Sequence, residues 1–542
     1  MGRNIITAIL LIALGFTSCD DFLETDDKNN SVESNFFSTK AECEQALWGC
    51  YNVLQANNLD NILLVAESMS DNSYIGAGTD GDLGWDEFRD AGEQNMFKGA
   101  WEKYNWGIHR CNFLLENLPN APISDEDRIL LEAEAKFLRA YFYFDFARLF
   151  GNVPLNTTSD GEDLAQTDPK LVYELIAKDL VFASENLKSS YSAEWYGRAT
   201  SWAAKSLLAR AYLFYTGYYQ ANDLAGVVTG DKMRTYIQQV IEEGPFSLLE
   251  DYRSLWPYSQ LTYWTGEAED IFAGESNQEI VFSIKYTEEG TSESFLSGAF
   301  DNVNLATGNT WVLYLGPRSA GSDVIGAFHY GWGFLPVTPK LFNAFDTKDR
   351  RRDASIVDLE VKVGYAGADN QRDYTGLWQQ KYQPLVDEDG IPLAGNSGSA
   401  WQYGQGQDYY IIRFADVLLM GAELFLTEDN AKAQKYFNDV RKRAFGADYV
   451  EKPVSKDAIF SERQFELAFE GIRYFDLLRY DGQNNLNYAK TNIDATSGQV
   501  ITSHEVVEKE VSFRKETKGL LQIPYEQINL STKLKQNPAW EL

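Results

Sequence analysis

The stretch AEAKFLRAYFYFDFARLFGNVPL, residues 133–155, decides the fold. Ser124 and Asp127 form a capping-box pattern upstream of it, and Gly151 and Pro154 close it, so one long helix is predicted over 124–150. Its second half, FLRAYFYFDFARLF, is apolar on every side, with only Arg139, Asp145 and Arg148 carrying charge. A helix of that kind is stable only when other elements surround it. The three charges are then read as buried ion-paired groups, because an unpaired charge inside a core is costly.

Working outward, residues 38–54 place Cys43, Ala46, Leu47, Cys50, Tyr51 and Leu54 at the i, i+3, i+4, i+7 spacing of one helix face. A Gly-, Asp- and Asn-rich loop follows over about 70–90, then a helix over 97–118. Beyond the central helix, Asp168 and Pro169 open another to about 189, and TSWAAKSLLARAYLFYTG and DKMRTYIQQVIEEG predict two more. From 245 to 407 the helical period is lost among Gly, Asp, Asn and aromatic residues, with short strand-like runs such as EIVFSIKY and one short helix after Pro339. Helical texture returns with FADVLLMGAELFL, NAKAQKYFNDVRKRAFG and ERQFELAFEGIRYFDLLRY, the last read as one continuous helix, and the chain closes in a polar tail. The expected layout is an N-terminal helical part over 35–244, a large irregular, loop-rich insertion over 245–407, and a C-terminal helical part over 408–542. Helix-turn-helix units of this length resemble tetratricopeptide-like stacking, although no clean repeat register is present.

The chain begins MGRNIITAILLIALGFTSCDDFLET. One early positive charge at Arg3, the apolar run 5–16, and small residues at Thr17 and Ser18 before Cys19 are the pattern of a secretory signal over 1–18. A spanning helix needs about 20 apolar residues, and this run is too short. A cysteine directly after small residues is where a lipoprotein leader is cut and the thiol acylated, so Cys19 is the expected lipid anchor, with 19–34 as a flexible tether.

Net charge is −32, with 80 acidic residues against 48 Lys and Arg, which argues against nucleic-acid binding and against an electrostatic hold on anionic lipid. Cys43 and Cys50 lie about 10 Å apart along one helix, beyond the ~7 Å Cα limit for a disulfide. Buried free thiols are expected, with a bond from either to Cys111 left open. His109, His329 and His504 are not at ligand spacing from one another or from a Cys, so no zinc site is visible. The acidic fragments TDGDLGWDE (79–87) and DEDG (387–390) do not match the twelve-residue calcium loop, which leaves a structural calcium as the one ion they could hold and no cofactor expected. KDRRRD, 348–353, is read as a solvated surface.

Several segments together resemble the SusD/RagB family of nutrient-binding outer-membrane lipoproteins. They are SCDDFLET (18–25), the 133–155 stretch, GWGFLPVTPKLFNAFDTKDRR (331–351), IIRFADVLLMGAE (411–423), NDVRKRA (438–444), ERQFELAFEGIRYFDLLRY (462–480) and LLQIPYEQINLSTKLKQNPAW (520–540). The resemblance implies a scaffold of four tetratricopeptide-like helix pairs with the insertion packed on it. It also implies a non-catalytic lid that captures oligosaccharide for a SusC-like TonB-dependent transporter, anchored by lipid to the outer membrane and facing the extracellular side, where Asp20 and Asp21 favour export. A peptide-binding importer lid of the RagB type is the alternative, followed by a surface glycoside hydrolase and a protein-binding adaptor.

Glu466 and Glu470 stand one turn apart, but two carboxylates on one helix face cannot easily flank a sugar bond. Arg463, Arg473, Asp476 and Arg479 on neighbouring turns offer ion pairs instead, and the segment is read as a packing element with no catalytic residue. Sugars call for aromatic platforms beside polar partners. Of the 13 tryptophans, Trp48, Trp101, Trp106 and Trp202 fall on predicted helices and are read as core, whereas Trp85 lies in the first loop and Trp256, Trp264, Trp311, Trp332, Trp378 and Trp401 in the insertion. The resemblance places a ligand site between the loop after the first helix and the insertion, and by region alone, with no motif fixing any of them, the expected contacts are Asp71, Asn72, Tyr74 and Trp85 from the one and Trp311, Tyr314 and Trp332 from the other.

Overall fold

The central helix forms as its sequence demands. In the structure, a computed structural model, it runs Asp125–Phe150, with Ser124 as N-cap accepting from the Asp127 amide and Gly151 ending it at φ 73°. Every residue over 137–150 is buried. Arg139 is neutralised by Asp179 (Nε–Oδ2 2.8 Å) and bonded to Asn112, and Arg148 pairs with Asp145 at 2.6 Å while lying 3.9 Å from the Phe475 ring centroid. The structure describes residues 36–56, 61–79, 84–89, 97–257, 271–287, 308–321, 324–326, 328–383 and 405–540. Cys19, the leader, the tether, Trp264, Trp401 and the DEDG fragment lie outside them.

Around this helix, called α4, the packing follows chain order. Before it come α1 (Lys40–Leu54), α2 (Ile62–Ser68) and α3 (Lys98–Asn117), and after it α5 (Pro169–Asn186), α6 (Ser201–Tyr219) and α7 (Gly230–Glu243). Helix α1 packs on α3, α3 on α4, α4 on α5, α5 on α6 and α6 on α7. The α3–α4 approach is close because Gly107 carries no side chain: a Cβ there would sit 2.5 Å from the Phe142 ring. The scaffold then skips the insertion. Helix α7 packs on Phe414–Phe425, which packs on Asn430–Phe445, giving a mainly α fold of stacked helix pairs. Cys43, Cys50 and Cys111 are buried and free, and burial pushes the Cys111 thiol well up. Among the described residues no helix is long and apolar enough to cross a membrane.

Among the described residues the insertion is held by two small cores and three short antiparallel strand pairs. Strand Ile280–Ile284, from EIVFSIKY, pairs antiparallel with Tyr409–Arg413, so the start of the C-terminal part closes onto the start of the insertion. Phe328, Val357, Tyr365, Tyr374 and Trp378 form one core, and Val337, Leu341, Ile356, Leu377 and Phe469 another. Trp256 and Trp378 are fully buried. Of the tryptophans read as core, Trp101 is buried, Trp48 and Trp202 are partly so, and Trp106 is 39% exposed.

Three expectations change. The stretch ERQFELAFEGIRYFDLLRY is two helices, Lys456–Leu467 and Arg473–Asp481, separated by a turn in which Phe469 and Gly471 take φ of 65° and 72°. The turn is imposed by tertiary partners. Arg413, fully buried, donates to the Glu466 carboxylate and carbonyl (both 2.9 Å) and to both oxygens of Glu470 (2.7 and 2.9 Å). Arg443 and Arg351 also bind Glu466, and Lys381 binds Glu470. These cations, and not Arg463, Arg473 or Arg479, neutralise the two glutamates; Arg463 pairs with Asp416 and Asp476, and Arg479 with Glu423 and Asp476. Second, KDRRRD is not wholly a solvated surface. Asp349 is buried, and Arg351 is fully buried between it, Glu462 and Glu466, whereas Lys348, Arg350 and Asp353 are exposed. Third, the polar tail contains a helix, Asn487–Asp494, and a hairpin of Gly498–Thr502 with Glu505–Lys509.

Candidate functional site

The loop after α2 and the insertion do come together, through backbone. Tyr74 N–H donates to the Pro336 carbonyl at 3.0 Å, Ala77 N–H to Gly333 at 2.8 Å and Leu335 N–H to Ile75 at 3.2 Å, so residues 73–77 run antiparallel to 333–337. Gly76, at φ 67°, is required here: a Cβ would stand 2.5 Å from the Gly333 carbonyl oxygen.

The side chains implied as ligand contacts mostly point inward from this seam. Asp71 is fully buried, clamped by Arg473 and paired with Lys340 at 2.5 Å. Burial alone would raise its carboxyl, but the Arg473 and Lys340 charges prevail and hold it well below the usual carboxylate range. Asn72, also fully buried, donates to Glu67 at 2.9 Å and accepts from Gln464 at 3.0 Å. Burial pushes the Glu67 carboxyl up to about 7. Tyr74 donates to the Thr496 carbonyl at 2.5 Å, and Trp85 packs on Phe97 with ring centroids 5.1 Å apart. Trp311 is 1% exposed and meets Tyr409 edge-on at 4.8 Å. Tyr314 is buried beneath Trp332, centroids 4.8 Å apart.

Asp71, Asn72, Tyr74, Trp85, Trp311 and Tyr314 therefore sit in the interior: residues 71–78 are all buried where the loop is sealed to the insertion, and Trp311 and Tyr314 lie on the fully buried helix Trp311–Leu315. Trp332 differs. It is half-buried and tilted 33° against the Tyr314 ring, in a segment where the His329 and Tyr330 rings lie 4.9 Å apart and are also partly exposed. Arg318 donates to the Trp332 carbonyl at 3.0 Å and to the Asn370 side chain at 2.9 Å. An indole packed on a phenol, with a guanidinium bonded to its own backbone carbonyl and to a neighbouring amide, combines the apolar face and polar groups that a sugar ring calls for. Among the described residues of TDGDLGWDE, Asp86 and Glu87 pair with Lys509 at 3.0 and 3.1 Å.

Sequence reasoning overlooked Trp195 and Tyr196, which are 43% and 55% exposed. A Trp-Tyr pair within SAEWYGR, between two apolar helices and flanked by Ser and Gly, was the available signal.

Comparison with known proteins agrees with this architecture. A model described as "SusD family" matches residues 278–540, and one described as "Starch-binding associating with outer membrane" matches residues 21–213. SusD-like protein P25 of Formosa agariphila is 26% identical over 525 residues, covering 88% of this chain and 90% of that protein. A solved structure of a laminarin binding SusD-like protein is 27% identical with a TM-score of 0.73, covering 92% of this chain and 99% of its own. Surface glycan-binding protein A from Bacteroides fluxus is 26% identical with a TM-score of 0.73, covering 93% and 100%. With both halves of the chain matched and the helical scaffold shared along nearly its whole length, the protein belongs to the SusD family.

Proposed function

We propose that the protein captures oligosaccharide without cleaving it and passes it to a SusC-like TonB-dependent transporter, while lipid on Cys19 holds it at the extracellular face of the outer membrane. The observation that carries this reading is the half-exposed Trp332 ring, packed at a tilt on Tyr314 at the seam between loop and insertion with Arg318 beside it. Support also comes from similar proteins, one named for laminarin binding and another as a surface glycan-binding protein. The absence of cleavage is supported by the state of Glu466 and Glu470. Both are buried and saturated by arginine and lysine, and the charges around Glu466 hold it far below the range of a general acid despite its burial. A peptide-binding lid is the second reading, favoured by the net charge of −32, which suits cationic peptides.

The test is purification from native outer membranes followed by a glycan panel and a cationic-peptide panel. Co-purification of a large barrel protein and retention of glycan are expected. Retention of peptides alone would replace the sugar reading with the second one.

A further inference from the structure

A second aromatic site lies on another part of the molecule, where the α5–α6 connection meets α1 and strand Ile280–Ile284. Trp195 stacks on Trp48 with centroids 5.6 Å apart and planes 5° from parallel. The Arg198 guanidinium lies 5.1 Å from the Trp48 ring, 5.6 Å from Trp195 and 5.0 Å from Tyr191. Arg198 is itself fixed by Glu134, which is fully buried and also accepts from the Tyr51 hydroxyl at 2.8 Å. The adjoining backbone is fixed as well: Gly197 has φ 98°, and a Cβ there would meet the Lys285 side chain at 2.6 Å. Trp48, Trp195 and Arg198 are thus packed together before any ligand arrives, yet Trp195 and Tyr196 remain exposed.

Two cavities of about 330 and 260 Å³ flank this ridge, and both are lined by Trp195, Tyr196, Arg198 and Lys285. Pockets for small ligands span about 300–1,000 Å³ and combine aromatic walls with a few polar groups. Concavity of this kind suits a chain of small rings better than a flat protein partner. The two cations at the site are already neutralised, Arg198 by Glu134 and Lys285 by Asp408, so no net positive charge awaits an anionic ligand. From this geometry we infer that the Trp48–Trp195 platform with its two flanking cavities is a second carbohydrate site, which takes a neutral oligosaccharide laid across Trp195 and Tyr196. The ligand class rests on the glycan-capture reading, but the location does not, since the site shares no residue with the Trp332 region. A second contact of this kind would let one polysaccharide chain be held at two points, raising retention of long chains over short ones.

Hydrogen exchange measured by mass spectrometry, with soluble laminarin and starch as probes, tests this directly. Slowed exchange over 189–200 and 276–285 in the presence of at least one probe is expected. Trp195→Ala should weaken polysaccharide retention about tenfold, the loss of one stacked ring, with the melting temperature held. Protection confined to 311–334 would overturn the second site and leave glycan capture standing; protection nowhere would overturn the second site, glycan capture itself being decided by the full glycan panel. If Trp195→Ala leaves glycan retention intact but strips the co-purifying barrel protein, the platform is a protein contact and the assignment falls.

Discussion

Arg473 clamps Asp71 at two points, Nε to Oδ1 at 2.7 Å and Nη2 to Oδ2 at 3.0 Å, with both side chains buried. The clamp joins the loop after α2 to a helix near the C-terminus and fixes how the loop presents itself to the insertion. Asp71 is therefore a structural residue. Asp71→Asn leaves Arg473 buried with its charge uncompensated, and a loss of about 3–5 kcal/mol is expected from urea denaturation. The depressed carboxyl gives the sign of the acid response: its stability is fully present above the ordinary Asp pKa and is lost only as pH falls through the lower folded value. Wild type should therefore gain on Asp71→Asn at neutral pH and lose that advantage in strong acid.

Glu67 has the opposite sign. Burial raises its carboxyl to about 7 from 4.5, so it favours the folded state below pH 4.5 and that contribution fades as pH rises through 7. Glu67→Gln cannot ionise. Its melting temperature should vary less than that of wild type between about pH 5 and 8, and an unchanged pH dependence would show that Glu67 does not titrate in this range.

Trp311 and Trp332 should separate packing from binding. Trp311→Ala empties a buried site against Tyr409 and should cost about 3–5 kcal/mol. Trp332→Ala removes a half-exposed ring. It should cost less stability and greatly reduce glycan retention in affinity electrophoresis.

Arg413→Met tests the buried charge cluster. Without the guanidinium, Glu279, Glu466 and Glu470 lose a shared partner in a fully buried setting. A destabilisation of about 3–5 kcal/mol is expected by denaturant titration, with glycan retention per folded molecule unchanged.

What could be read from sequence was what local pattern decides. Phe137 to Phe150, apolar all round, announced a surrounded helix, and Ser124 and Gly151 marked its ends. The break at Phe469–Gly471 could not be read that way, because the local sequence continues as a good helix and the turn is set by Arg413 and by the Gly471 amide donating to Glu67 at 2.8 Å. The same holds for the candidate site. The family resemblance pointed to a seam whose backbone pairing the structure does contain, but burial of Asp71, Tyr74 and Trp311 depends on partners hundreds of residues away or on another element. Composition marks an aromatic residue in a loop without saying which side of the loop faces water. Trp332 and Trp195 are distinguished from Trp311 only by that exposure.

The most direct measurement is affinity electrophoresis of the purified protein through gels containing each of a panel of soluble glycans, with mass analysis of sugar recovered from the bound fraction. Retardation by at least one glycan, with the sugar recovered at its original length, is the expected result. Migration unaffected by every glycan, or recovery of shortened chains, would contradict capture without cleavage.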